Sequence, residues 1–218
     1  MADSYADHQT LRGDKRYTYD GHHIISDQVD RTGIKTICDS LEKVLKTGVD
    51  GHIVELGCYV GTTSVFIRRL LDKYSQSETR EFHVYDSFAG LPDKHAKDKN
   101  AAGVDFKAGE LLATKKELIR AFASQNLKIP SIHKGWFSEL KEDDIPQPLA
   151  FAFLDGDFYE SILDSLRLVW PKMSEGSYVL IDDYMNPSLP GVEKAVAEFF
   201  QGKRLRLQRS GNIAIIEV

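Results

Sequence analysis

Apolar residues change their period several times along the 218-residue chain, and these changes divide it into elements. Residues 1–24 are polar, rich in His, Tyr and Asp, and show no period, so they read as an arm. Over 26–47, Val29, Gly33, Ile34, Ile37, Leu41, Val44 and Leu45 recur about every 3.6 residues. That spacing predicts an amphipathic helix, with Ser26 as candidate N-cap and Gly48 as its stop. From residue 52 onward, short apolar runs alternate with helical periods. Strands are expected at 52–56, 81–85, 130–134, 149–154 and 178–181, and helices at 62–74, 109–124, 159–170 and 191–200. Leu149-Ala-Phe-Ala-Phe-Leu154 has no polar position at all, which marks a strand buried on both faces. Arg204–Gln208 and Ile213–Val218 read as a closing hairpin around Ser210-Gly211-Asn212.

Strands alternating with helices predict an α/β fold with a mainly parallel sheet and right-handed crossovers. The hairpin adds antiparallel strands and brings the expected total to seven. We expect an arm and helix over 1–48, serving as a lid or a dimer contact, and one domain over 49–218. The stripe of the 26–47 helix fits a homodimer contact and packing on its own sheet equally well. The polar stretch 92–106 is longer than a routine connection and is a candidate lid.

Composition narrows the function classes. With 42% hydrophobic and 28% charged residues the chain is not disordered throughout. It carries 28 basic against 33 acidic residues, net −5, without the basic surplus of a sequence-independent nucleic-acid binder. Cys38 and Cys58 are too few for a disulfide framework and form no CxxC pair. No apolar run approaches the roughly 20 residues that span a bilayer, and the N-terminus lacks the apolar stretch of a secretory signal. A cytoplasmic protein without a membrane partner is the expectation.

The candidate chemistry begins at Glu55-Leu-Gly57-Cys-Tyr59-Val-Gly61, between the first expected strand and its helix. Gly57 permits a tight turn and a close ligand approach. The helix that follows presents free N–H groups and the positive end of its dipole. Asp86 ends the next strand, where an acidic side chain can accept hydrogen bonds from ribose hydroxyls. The pattern is ExGxxxG rather than the dinucleotide GxGxxG. Glu55 would repel a pyrophosphate and favour a cationic group such as a sulfonium, which points to S-adenosylmethionine.

VELGCYVGTTSVFIRRLL resembles motif I of the class I S-adenosylmethionine-dependent methyltransferases. Together with YDSFAGLP, KGWFSEL, FLDGDFYES and LIDDY in this order, it is similar to the macrocin O-methyltransferase-like family over about residues 50–200. The resemblance implies a Rossmann-like fold and methylation of sugar or related hydroxyls in natural-product biosynthesis. It places S-adenosylmethionine against Glu55, Gly57, Tyr59, Gly61, Asp86, Ser87 and Asp155. Thr62 and Thr63 either bond the methionine carboxylate or cap the helix. Gly135-Trp136-Phe137 follows the third strand, where Trp136 or Phe137 either stacks on adenine or serves as a core aromatic.

Asp155 and Asp157 follow one buried strand, and Asp182 and Asp183 follow the next. Parallel strands bring these carboxylates to one sheet edge, where they repel unless they are protonated or share a cation. Oxygen-only donors select Mg²⁺, and Asp155, Asp182 and Asp183 are the expected ligands. Asp183 has a supporting role as its alternative. Such an ion would lower the pKa of the acceptor hydroxyl. Asp157 is the expected base, with Glu160 second; Phe158 stands where catechol O-methyltransferase-like enzymes carry a lysine. A metal-dependent glycosyltransferase explains Asp155-Gly156-Asp157 but not Gly57 with Asp86. A dehalogenase-like phosphatase would need more than the 27 residues between Asp155 and Asp182. A non-catalytic nucleoside-binding module leaves the acidic cluster without a use.

Outside these motifs, Tyr17, Tyr19, His22 and His23 form a polar-aromatic leader that could fold over the site, with solvated arm residues as the favoured reading of His22 and His23. Cys58 reads as core packing, and Lys94–Lys99 as a solvated loop.

Overall fold

The computed structural model describes residues 17–218. A two-residue hairpin, β1 (Thr18–Tyr19) and β2 (His22–His23), precedes helix α1 (Arg31–Thr47). The rest alternates: β3 (His52–Leu56), α2 (Thr62–Lys73), β4 (Phe82–Asp86), α3 (Lys115–Ala123), β5 (Ser131–Lys134), β6 (Leu149–Leu154), α4 (Tyr159–Val169), β7 (Met173–Ile181), α5 (Pro190–Phe199), β8 (Arg206–Ser210) and β9 (Ile213–Glu217). Seven strands form one sheet in the order β5-β4-β3-β6-β7-β9-β8. Its first five members are parallel, and β9 and β8 complete it antiparallel. The expected fold class, with its terminal hairpin, is therefore the observed one.

The all-apolar β6 lies mid-sheet, and each of its six residues is buried. Phe151 and Phe153 meet Ile34, Leu41 and Phe66 from α1 and α2. Ala152 and Leu154 meet Ile162, Leu166, Val192 and Val196 from α4 and α5. Helices thus cover both faces, as an all-parallel core requires. The apolar stripe of α1 packs on this sheet.

Several element bounds shift for local reasons. Helix α1 starts at Arg31, not after Ser26, because the Asp30 side chain accepts from Gly33 N at 2.7 Å. Its C-terminal stop is Gly48, as expected, with φ 73° and its N–H on the Val44 carbonyl. Helix α3 begins at Lys115, because Thr114 and Glu117 form a reciprocal capping box, so 109–114 is loop. The β1–β2 hairpin was unforeseen. It brings Tyr19 edge-on to Phe66 at 5.9 Å and His22 to within 3.2 Å of the Arg69 guanidinium. Tyr17 and Tyr19 are half-buried, and so are His22 and His23, which were expected to be solvated.

Register sets the position of the site. Leu56 pairs with both Tyr85 and Leu154, and Leu154 pairs with Ile181. The next residues, Gly57, Asp86, Asp155 and Asp182, therefore leave the sheet side by side. Strand order reverses between β3 and β6, and a crevice opens at such a switch point.

Candidate active site

Gly57 lies in the crevice itself. Its φ is +90°, and an added Cβ would stand 1.8 Å from the Asp155 carbonyl oxygen, so no other residue fits. Gly57 N bonds to the Tyr85 carbonyl at 2.8 Å, and Asp155 N to the Leu56 carbonyl at 2.8 Å. The three strand ends are thus locked to one another.

The Asp86 carboxylate organises the loop above them. One oxygen accepts from Cys58 N at 3.0 Å and Tyr59 N at 3.1 Å; the other accepts from Phe88 N at 2.7 Å. Asp86 lines the crevice, but its first task is to hold the glycine loop, which sequence reasoning did not foresee. Ser87, the next residue, donates its hydroxyl to the Gly90 carbonyl at 3.1 Å.

The cleft is lined by Gly57, Tyr59, Asp86 and Ser87, by Gly135, Trp136 and Phe137, and by Asp155, Asp157, Asp182 and Asp183. Eleven expected site residues are therefore brought together. Glu55, Gly61, Thr62 and Thr63 are not among them. Glu55 is fully buried beneath the loop, where it accepts the hydroxyls of Thr63 and Ser64 from the first turn of α2. Burial raises its pKa to about 7, and the nearby Asp86 charge adds to the rise. It fastens the helix rather than facing a ligand. Thr62 bonds Ser26 at 2.8 Å, so neither threonine reaches the cleft. Gly61 starts α2 at φ 89°, packed on Leu118.

Gln28, Gly90, Leu91, Pro92, Leu111 and Ser161 also line the cleft and were not foreseen. Gln28 comes from the coil before α1, which periodicity had absorbed into the helix. The stretch 91–110 is closed at its base by Leu91 N on the Glu110 carbonyl and Gly109 N on the Leu91 carbonyl. Its middle is anchored by Asp98, which is 1% exposed and accepts from Tyr159 N at 2.7 Å at the start of α4. Lys94 pairs with Asp105 at 2.6 Å, and Lys97 bonds Glu198 and Tyr159, so these lysines are anchored rather than solvated.

At the other end of the cleft, Asp155, Asp157 and Asp183 each offer one oxygen, and the three atoms lie within 4.8 Å of one another. The expected trio had Asp182 in place of Asp157. Asp182 lines the same cleft, but its carboxylate turns back to accept the backbone N–H of Asp183. Asp157 and Asp183 both have left-handed backbones, with φ 60° and 53°. Burial raises the pKa of Asp155 and Asp157 well above the carboxylate range, and the neighbouring carboxylates raise them further. Asp182 is pushed up to about 8 by burial and by Asp183. Oxygens sharing one Mg²⁺ stand about 3–4 Å apart, so the all-oxygen trio fits a hard divalent cation after small side-chain adjustments. Glu160 lies outside this cleft, in the groove beside Pro92 and Phe158. Cys58 is buried and its thiol is pushed far up by burial, so it is inert packing, as expected.

Among sequence families, macrocin O-methyltransferase (TylF) matches residues 8–209. The chain belongs to this family. One curated relative is the 8-demethyl-8-(2,3-dimethoxy-alpha-L-rhamnosyl)-tetracenomycin-C 4'-O-methyltransferase of Streptomyces olivaceus. It is 36% identical over 150 residues, covering 66% of this chain and 57% of that protein. Another is the demethyldecarbamoylnovobiocin O-methyltransferase of Streptomyces niveus, 31% identical over 172 residues, covering 76% of this chain and 64% of that protein. The matched stretches thus span less than two thirds of these relatives' lengths. The solved structure of the O-methyltransferase NovP aligns at TM-score 0.74 and 25% identity, over 90% of this chain and 83% of that one. The family's fold is therefore present, with the cleft at its switch point. Among the described residues no helix is long and apolar enough to cross a membrane.

Proposed function

We propose that this chain transfers a methyl group from S-adenosylmethionine to a hydroxyl of a small-molecule acceptor, of sugar or natural-product type, with Mg²⁺ as a second cofactor. One observation carries the reading. A glycine loop held by Asp86 and an acidic trio share a single cleft at the sheet's switch point. The named activities of the relatives, all O-methylations, agree with it.

In this reading Gly57, Asp86 and the Trp136–Phe137 turn would hold the nucleoside. Asp155 and Asp183 would hold the cation, and Asp157 would accept the acceptor's proton. A bound divalent ion supplies charge compensation and makes an approaching hydroxyl more acidic. The base must stand close to the ligands, since it acts on the same hydroxyl, and the 4.8 Å trio meets that condition. In the transfer, an oxygen–carbon bond forms as the sulfur–carbon bond breaks. The electron pair stays on sulfur, giving S-adenosylhomocysteine, and the proton goes to Asp157. The acidic acceptor end, in a chain without a basic surplus, suits a small neutral hydroxyl compound better than a polyanion such as nucleic acid.

The test is methyl-labelled S-adenosylmethionine incubated with a panel of glycosylated and phenolic hydroxyl compounds, with Mg²⁺ or with EDTA. Label transfer that EDTA abolishes is the expected result. Transfer undiminished by EDTA would remove the cation from the mechanism.

A further inference from the structure

A chain of hydrogen bonds leaves the acidic trio and runs into the 91–110 loop. Asn186 Nδ2 donates to Asp183 Oδ1 at 2.6 Å. Asn186 Oδ1 accepts from Ser188 N at 3.0 Å. Ser188 Oγ accepts from Val104 N at 2.9 Å. The amide orientation is not arbitrary. Ser188 N is a donor, so it must face the Asn186 oxygen, and the nitrogen then faces the carboxylate. The loop is also shaped for this contact. Gly103 has φ +84°, and an added Cβ would stand 2.2 Å from Ser188 Oγ. A left-handed glycine therefore lets the loop approach Ser188.

The relay has no evident task in the core. Val104 is 59% exposed, so its own side chain does not fasten the loop tip. Three polar groups do so instead, and the chain of them starts on a carboxylate of the trio. A cation held by Asp155 and Asp183 would fix the position of the Asp183 carboxylate. Asn186 reads that position, and Ser188 passes it on to the backbone of Val104.

We propose that Asn186 and Ser188 are positioning residues that couple the cation site to the 91–110 loop, whose first residues, Leu91 and Pro92, line the cleft. The proposal rests on the cation reading above for its trigger, but the tie itself can be tested without a cation. The experiment is hydrogen exchange of the Val104 amide in the full chain, in EDTA and in Mg²⁺, with Mg²⁺ binding followed separately by calorimetry. In EDTA, Ser188→Ala and Asp183→Ala should each speed exchange at Val104 by about tenfold or more. Ser188→Thr, which keeps the hydroxyl, should restore protection. Gly103→Ala should expose Val104 by blocking the approach from the other side. In Mg²⁺ the unaltered protein should gain protection at Val104, and Asn186→Ala should lose that gain while still binding S-adenosylhomocysteine. Unchanged exchange in Ser188→Ala would overturn the tie. Heat on Mg²⁺ addition without any gain at Val104 would overturn the coupling alone. Absence of heat would overturn both the coupling and the cation reading, leaving the EDTA results to decide the tie.

Discussion

Asp86 shows how much one side chain does at this sheet edge. Its two oxygens collect three backbone N–H groups, from Cys58, Tyr59 and Phe88. Asp86→Ala removes the acceptor that these three N–H groups share and loosens the glycine loop. Net hydrogen bonds to a charged group are worth about 1.5–3 kcal/mol each, so S-adenosylmethionine affinity should fall by at least tenfold in a calorimetric titration. Glu55 gives a second prediction, with a definite sign. Its pKa is raised from 4.5 to about 7 in the fold, so its contribution is fully present below the unfolded value and is lost as pH rises through 7. Against Glu55→Gln, the unaltered protein should lose stability on the order of 3 kcal/mol between about pH 5 and pH 9. Denaturation midpoints at several pH values would measure this, and parallel curves for the two proteins would contradict it. Asp157 gives a third. Asp157→Asn should abolish methyl transfer while leaving Mg²⁺ binding largely intact, because a base is dispensable for the ion. Equal loss of both would make Asp157 a ligand only.

At the scale of elements, the sequence pattern is readable where packing and period agree. β6 was legible because a strand covered on both faces needs an apolar residue at every position. Phe153, fully buried in it, should cost about 3–5 kcal/mol when changed to Ala, read from chemical denaturation. Gly48 as the stop of α1 was legible for a similar reason, since a left-handed C-cap all but names glycine. The start of α1 was not legible. Ser26 and Asp30 are both good caps, and only the fold shows that Ser26 is taken by Thr62 while Asp30 meets Gly33. The 92–106 stretch is a candidate lid by its length alone. Tertiary contacts from Asp98, Lys97 and Lys94 anchor it, and contacts between residues far apart in sequence leave no local pattern.

At the scale of the whole molecule, the strand order and register gather carboxylates that lie up to 97 residues apart in the chain, from Asp86 to Asp183. The sequence showed that these groups reach one edge. Which carboxylates come close depends on side-chain directions: oxygens of Asp155, Asp157 and Asp183 lie within 4.8 Å of one another, whereas the sequence pointed to Asp155, Asp182 and Asp183. The net charge of −5 is thus partly a local charge excess at the cleft. A cation that relieves it stabilises the folded state by mass action, about 2.7 kcal/mol at a hundredfold excess over its Kd. Mg²⁺ should therefore raise the melting temperature, and Asp155→Ala should remove the rise.

The central claim is that the glycine loop, Asp86 and the turn after β5 form a site for S-adenosylmethionine. Isothermal titration of the unaltered chain with S-adenosylmethionine, S-adenosylhomocysteine, NAD and a UDP-sugar tests it most directly. The account predicts saturable heat from the first two and none from the others. No binding of the first two, or preferential binding of NAD or the UDP-sugar, would contradict it.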